Sequence, residues 1–168
     1  MPNSSLIVDI AGFMLQYYHD NQMIWKSKVM VGQPFHQTPV FRSAITYIVL
    51  NPTWTPTPDI VKNETVPSII KDPDFLAKQR MRVIDSSGAE VDSRSIPWKQ
   101  YLGRVLPYTL RQDPGSESSL GLIKFLFPNP YHVYMHDTPS KSLFGRTQRA
   151  FSHGCIRVQN PLELGRLI

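Results

Sequence analysis

The chain is poor in cysteine, in charge and in long apolar runs, and each shortage removes a class of protein. One cysteine, Cys155, among 168 residues has no partner for an internal disulfide, and a zinc site built on several thiolates is excluded with it. Charged residues make up 18%, below the roughly 25% of ordinary globular domains. With 11% aromatic residues, that is the reverse of a disordered composition. No apolar run approaches the roughly 20 residues of a membrane-spanning helix, so no membrane span is expected. Met1 to Ser5 carry neither a basic stretch nor an apolar core, so no leader is read there.

Proline is in excess, at 15 of 168 residues. It breaks long helices and favours short strands joined by shaped loops. One domain with a sizeable core is expected at this length. The net charge of +5 admits an acidic partner such as nucleic acid, anionic lipid or a cell-wall polymer. The basic residues are scattered, the densest group being Lys78, Arg80 and Arg82. They read as a solvated surface, and no nucleic-acid partner is expected.

Strands are predicted at residues 6–10, 13–18 and 23–31, the last two joined by the turn His19-Asp20-Asn21-Gln22. Further strands are predicted at 44–50, 120–127 and 131–136, with Pro128-Asn129-Pro130 as a tight connection between the last two. Residues 53–104 differ. Thr57-Pro58-Asp59 and Asp72-Pro73-Asp74 are cap-plus-proline helix starts, and residues 81–91 pattern as a hairpin about Ser86-Ser87-Gly88. This stretch reads as a helical and hairpin insertion in a β domain, of the kind that serves as a lid. Near the C-terminus, Asn160-Pro161-Leu162-Glu163 predicts an N-cap, a proline at the first helical position and a capping box. The helix then stops at Ile168, so residues 1–168 are read as a single domain taken from a longer protein.

Chemistry concentrates in Tyr134-Met135-His136-Asp137-Thr138 and in Ser152-His153-Gly154-Cys155-Ile156-Arg157. Gly154 permits a sharp turn that exposes amide N–H groups beside the thiol, a pocket for an oxyanion. A thiol of ordinary pKa, about 8.5, needs a base or a positive neighbour to act as a nucleophile. Two histidines are candidates. His153 would share a face with Cys155 in an extended backbone, and His136 ends a predicted strand from which it can enter a cleft. Tyr134 alternates with His136 on that strand. A metal site from His132, His136, His153 and Cys155 lacks a second thiol or a helical HExxH pattern, so no metal is expected. The plain alternative is a buried, inert cysteine among ordinary histidines. Trp25, Trp54, Trp98 and Phe125-Leu126-Phe127 read as packing.

The arrangement resembles the L,D-transpeptidase (YkuD-type) catalytic domain of bacterial peptidoglycan metabolism. That family's pattern is a histidine, a spacer, then Ser/Thr-His-Gly-Cys, an apolar residue, and Arg or Asn. Here His136 is followed by fifteen residues and then Ser152 to Arg157. Tyr47-Ile48-Val49-Leu50-Asn51-Pro52-Thr53-Trp54 and Leu120-Gly121-Leu122-Ile123-Lys124-Phe125 are similar to the larger branch, which carries a capping subdomain. The resemblance implies a mainly β, sandwich-like catalytic core with an inserted helical and hairpin lid, α+β overall.

It also implies that Cys155 is the nucleophile, forming a thioester with a tetrapeptide stem as D-alanine leaves, and that His136 is the general base. The backbone carbonyl of Asp137 would orient the ring. His153, Gly154 and Cys155 would line the oxyanion site, with Ser152 fixing the loop. Arg157 would bind a stem carboxylate or pin the loop. The implied product is a 3→3 cross-link, with no cofactor. The implied partners are peptidoglycan stem peptides, with carbapenem β-lactams as covalent inhibitors, and the implied location is the periplasm or cell envelope. Two other readings stand beside it: an L,D-carboxypeptidase, with water as acceptor, and a non-catalytic peptidoglycan-binding module. A papain-like or NlpC/P60 endopeptidase would place its cysteine before its histidine. One departure is visible. Much of the family has glycine after the histidine, whereas this chain has Asp137, whose carboxylate could favour protonated His136 or point to solvent.

Overall fold

The computed structural model describes residues 3–168. Met1 and Pro2, part of the stretch read as lacking leader character, lie outside the described residues. In chain order the strands are β1 (Ser4–Asp9), β2 (Met14–His19), β3 (Gln22–Gly32), β4 (Tyr47–Leu50), β5 (Met81–Ile84), β6 (Glu90–Val91), β7 (Thr109–Gln112), β8 (Ile123–Leu126), β9 (Met135–His136), β10 (Ala150–Ser152) and β11 (Ile156–Val158). The α-helices are α1 (Pro58–Ile60), α2 (Val66–Lys71), α3 (Phe75–Lys78) and α4 (Pro161–Leu167). They form two compact units, one from the residues up to Pro52 together with Ser119–Ile168, the other Thr53–Ser118.

The first unit is a sheet in the order β1-β2-β3-β11-β9-β8-β4, with β10 also paired to β3. Asp20 and Asn21, at φ 48° and 65°, make the two-residue turn whose twist suits a hairpin, and the β2–β3 ladder closes at His19 opposite Gln22. At the centre β11 runs antiparallel to β3 and parallel to β9, while β9 and β4 flank β8 antiparallel. Laid flat, β1 and β9 would lie four strand spacings apart, about 19 Å. Yet Leu6 and Val8 of β1 line one cavity with Met135 of β9 and Ile156 of β11. Edge strands β1 and β4 likewise share a second cavity. The sheet therefore curls back on itself, and this is the mainly β, sandwich-like architecture implied by the resemblance. Leu15, Val29, Val31, Ile123, Phe125, Met135, Ile156, Val158 and Leu164 fill its inside.

The second unit has its own apolar core of Val61, Val66, Ile69, Leu76, Met81, Val83, Ile96 and Leu110. Thr57 caps α1, its hydroxyl accepting from the Ile60 N–H at 3.5 Å. The expected hairpin is β5 with β6, and β7 pairs with the other edge of β5. Because β7 belongs to this sheet, the unit extends past residue 104 to Ser118. A bridge between Trp54 and Gln112 joins its two ends.

Three local expectations are corrected. Strands β8 and β9 are shorter than predicted, and the link between them is no tight turn. Asn129 organises it instead, accepting from the Tyr131 and Val133 N–H groups and donating to the Phe127 and Val133 carbonyls. The capping box at α4 does not form. Glu163 accepts from the Trp25 indole at 3.1 Å, and the Asn160 N–H goes to Ser27 Oγ at 3.4 Å, so tertiary partners take both groups.

Candidate active site

The sheet's register assembles the site. Across β8, β9 and β11, Lys124 lies opposite His136 and His136 opposite Arg157. Directly opposed residues share a sheet face, so these three side chains form a row. Alternation adds Tyr134 and Cys155 to that face, two residues before His136 and Arg157 respectively. Tyr134 and His136 have ring centroids 5.5 Å apart, and the Cys155 thiol, close to Tyr134, donates to the His132 carbonyl at 4.0 Å.

His136 is buried, at 4% exposure. Its Nδ1 bonds the backbone carbonyl of Asp137. A carbonyl only accepts, so Nδ1 carries the proton and Nε2 keeps its lone pair. The Asp137 peptide is held in turn. Its N–H donates to the Ile123 carbonyl at 2.9 Å, and its carboxylate accepts the Leu122 N–H at 2.9 Å and pairs with the Lys141 ammonium. Lys141 also donates to the Gln159 carbonyl at 3.2 Å. Gly121, at φ +57°, lies so close to this carboxylate that a Cβ there would overlap it. The carboxylate is thus buried and engaged, and of the two dispositions left open by the sequence the solvent-facing one is ruled out.

Burial, then the Arg157 guanidinium, pushes the His136 pKa down to about 3. The half-buried Cys155 thiol is pushed up by burial, against the opposing hydrogen bonds of Tyr134. At neutral pH the resting pair is therefore thiol and neutral imidazole. Such a pair needs proton transfer during attack, with the imidazole as general base.

The loop before β11 is shaped by Gly154, at φ +111°, a conformation that favours glycine. Ser152 Oγ donates to the Cys155 carbonyl at 2.5 Å and accepts the Gly154 N–H at 3.1 Å. The Gly154 N–H is therefore engaged and not free for an oxyanion, a correction to the sequence reading. The Cys155 N–H has no acceptor among the described residues. The bend also breaks the shared face expected of His153 and Cys155: His153 is exposed, its ring 5.2 Å from that of His36. Thr38 braces the loop, donating to the Gly154 carbonyl at 2.8 Å and accepting the Gly32 N–H.

Sequence reasoning missed Thr38, Lys124 and Lys141. Thr38 and Lys141 have no local signal. Lys124 has one: a single cation in the otherwise apolar run 120–127. Among the described residues there is no group of three or more His, Cys, Asp or Glu side chains placed to hold a metal ion.

A curled β domain whose register brings a thiol and a base with a defined tautomer to one sheet face, with an amide lacking an acceptor among the described residues at the thiol, has the equipment of an acyl-transfer enzyme. Residues 3–167 match the family described as YkuD, L,D-transpeptidase catalytic domain, and the chain belongs to that family. A Haemophilus influenzae protein named provisionally as an L,D-transpeptidase is 34% identical over 166 residues, which cover 99% of this chain. The chain spans 34% of that relative's length. Among solved structures, the Ldtfm–avibactam carbamoyl enzyme has a TM-score of 0.54 and 14% identity, covering 100% of this chain and 46% of that one. The catalytic domain of an E. faecium L,D-transpeptidase acylated by ertapenem has a TM-score of 0.52 and 13% identity, covering 100% of this chain and 92% of that one. An L,D-transpeptidase from Mycobacterium smegmatis has a TM-score of 0.50 and 15% identity, covering 97% and 52%. These structural likenesses concern the fold.

Proposed function

We propose that this domain catalyses cysteine-dependent L,D-transpeptidation in the cell envelope, forming 3→3 cross-links between peptidoglycan stems. The observation that carries the reading is the row of the sheet face: Cys155 beside Tyr134, and His136 tied through Nδ1 to the Asp137 carbonyl so that Nε2 is the basic atom.

In the first half-reaction the Cys155 thiol passes its proton to His136 Nε2 as sulfur attacks the carbonyl of the donor's L-to-D peptide bond. The N–H of Cys155 faces the developing oxyanion. The tetrahedral adduct collapses, the C–N bond breaks, and D-alanine leaves with the proton held by His136. The thioester is then attacked by the side-chain amine of an acceptor stem, whose proton passes to His136 and on to the departing thiol. Asp137 and Lys141 act as positioning residues through the carbonyl on which the imidazole tautomer depends. Ser152 and Gly154 shape the loop, and His153 flanks it. The Thr53–Ser118 unit is assigned the capping role on family resemblance. β-Lactams, including carbapenems, would acylate Cys155 by the same attack, in keeping with the acylated state of the ertapenem relative.

The test is mass spectrometry of disaccharide-tetrapeptides incubated with the domain, beside Cys155→Ala. Dimers with the mass of two donors less one alanine are expected. Tripeptide alone would mean hydrolysis and make the protein an L,D-carboxypeptidase. Absence of any product, and of any carbapenem adduct on Cys155, would overturn the enzymatic reading in favour of a binding module.

A further inference from the structure

We infer that Lys124 and Arg157, on either side of His136, form a carboxylate subsite for the departing D-alanine of the acyl donor. The inference rests on the acyl-transfer reading above and adds Lys124 to the substrate-binding residues.

The register supplies the geometry. Lys124, His136 and Arg157 stand opposite one another on β8, β9 and β11, so two cations flank the proposed base on one face. Lys124 and Arg157 lie two strand spacings apart across β9, about 10 Å. Among the described residues neither side chain has an ion-pair partner. Lys124 rests its ammonium over the Tyr134 ring, 5.6 Å from the centroid. Arg157 has a buried Nε with no hydrogen-bond partner. The nearby Asp137 carboxylate is already taken by Lys141 and the Leu122 N–H.

Arg149, in the same unit, shows what a structural guanidinium looks like here. It donates to the carbonyls of Val29, Arg146 and Phe13 and stacks on the Phe13 ring at 5.3 Å. Arg157 has no such carbonyl partners among the described residues, and Lys124 has the Tyr134 ring but no ion-pair partner there; a half-buried pair so placed carries a desolvation cost that an incoming anion offsets, and a carboxylate matches guanidinium and ammonium donors. The position also fits the chemistry. The leaving residue's carboxylate is one carbon from the scissile nitrogen, so it lies within a few ångströms of the carbon under attack. Cys155 and Arg157 are two residues apart along one strand direction, about 7 Å. With sulfur on the carbonyl carbon, the carboxylate is within reach of the cations.

The experiment exploits the single thiol. Cys155 is alkylated with iodoacetate and, separately, with iodoacetamide, which differ in charge and little in size. The ratio of the two rates is compared with that of a free cysteine peptide. The ratio reports local anion preference, and a change in thiol ionisation cancels from it. The native protein is expected to favour iodoacetate about tenfold over the peptide reference, an effect of the size electrostatic focusing supplies. Lys124→Gln and Arg157→Gln should each lower the ratio severalfold, while Lys124→Arg should retain it. A native ratio equal to the peptide's, or one unmoved by both glutamine substitutions, overturns the subsite.

A second arm compares a tetrapeptide donor with its C-terminal amide. Preference for the acid that is lost in Lys124→Gln supports the assignment to the leaving carboxylate. Equal turnover of both donors overturns it and leaves the transpeptidase reading intact. An elevated, Lys124-dependent alkylation ratio with no turnover of either donor and no carbapenem adduct on Cys155 would overturn the transpeptidase reading and the leaving-group assignment with it, leaving only an anion site beside Cys155.

Discussion

The β unit and the Thr53–Ser118 unit both have apolar cores, but they bury polar groups for different ends. In the β unit His136, Asp137, Thr138, Arg149 and Ser152 are all buried. The hydrogen bonds around His136, Asp137 and Ser152 converge on the sheet row and on the Cys155 loop. In the second unit the buried polar side chains include Thr65, Gln112 and Ser118, and two of their bonds brace the unit's own strands. Gln112 donates to the Gln79 carbonyl at 3.0 Å, and Ser118 donates to Gln112. One unit spends burial on holding reactive groups in place, the other on holding itself together. Substitutions in the two should therefore fail differently.

The sharpest break is Cys155→Ala, which should abolish acyl-enzyme formation, read as the absence of any donor or carbapenem adduct by mass spectrometry, with thermal unfolding little changed. His136→Gln should slow acylation about 10³-fold, within the range of general-base catalysis. Its alkylation by iodoacetamide at high pH should persist, because thiolate formed by solvent needs no imidazole.

Lys141→Met should lower kcat by about 10- to 100-fold, as expected for a small misplacement of a catalytic group, while KM moves little. Lys141→Arg should restore most of the rate. A parallel loss in Lys141→Met and Lys141→Arg would reduce Lys141 to a structural role. NMR of the His136 ring should show the Nδ1-protonated tautomer weakened in Lys141→Met.

In the second unit, Leu110→Ala removes a side chain at 1% exposure and should cost about 2–5 kcal/mol of local stability. Amide exchange should accelerate across β5, β6 and β7, while β3, β9 and β11 keep their protection. Loss of protection across both units would mean that the two cores unfold as one.

Stability should also respond to pH. His136 falls from an ordinary value near 6.5 to about 3 on folding. Above about pH 6.5 both states are neutral. Between about 6.5 and 3 the unfolded chain binds a proton that the folded one does not, so stability falls with acidification; below about 3 the slope disappears. The wild-type Tm should therefore drop more steeply than that of His136→Gln across this window. Parallel curves would mean that His136 is not held neutral.

Much of the β unit was legible in its residues. Alternation and the Asp20-Asn21 turn marked the first hairpin, and Gly154 before Cys155 marked the bend at the thiol. The capping box was misread because Glu163 and the Asn160 N–H have better partners in Trp25 and Ser27, neither of them local. His153 was a fair candidate for the base while the backbone was taken as extended; the bend at Gly154 removed it.

By itself the sequence determined the family, the mainly β class, the identity of the lone thiol and the inserted character of the middle stretch. The family was read from the resemblance of the His136 and Ser152–Arg157 motif; the rest follows from residue types and short spacings, which local sterics and hydrophobic alternation govern. Only the tertiary structure decided which histidine joins the sheet row, that Asp137 is clamped by Lys141, and that Lys124 and Arg157 flank the base with no ion-pair partner among the described residues. Those facts depend on register between strands distant in sequence. A shift of one residue would send each side chain to the opposite face of the sheet.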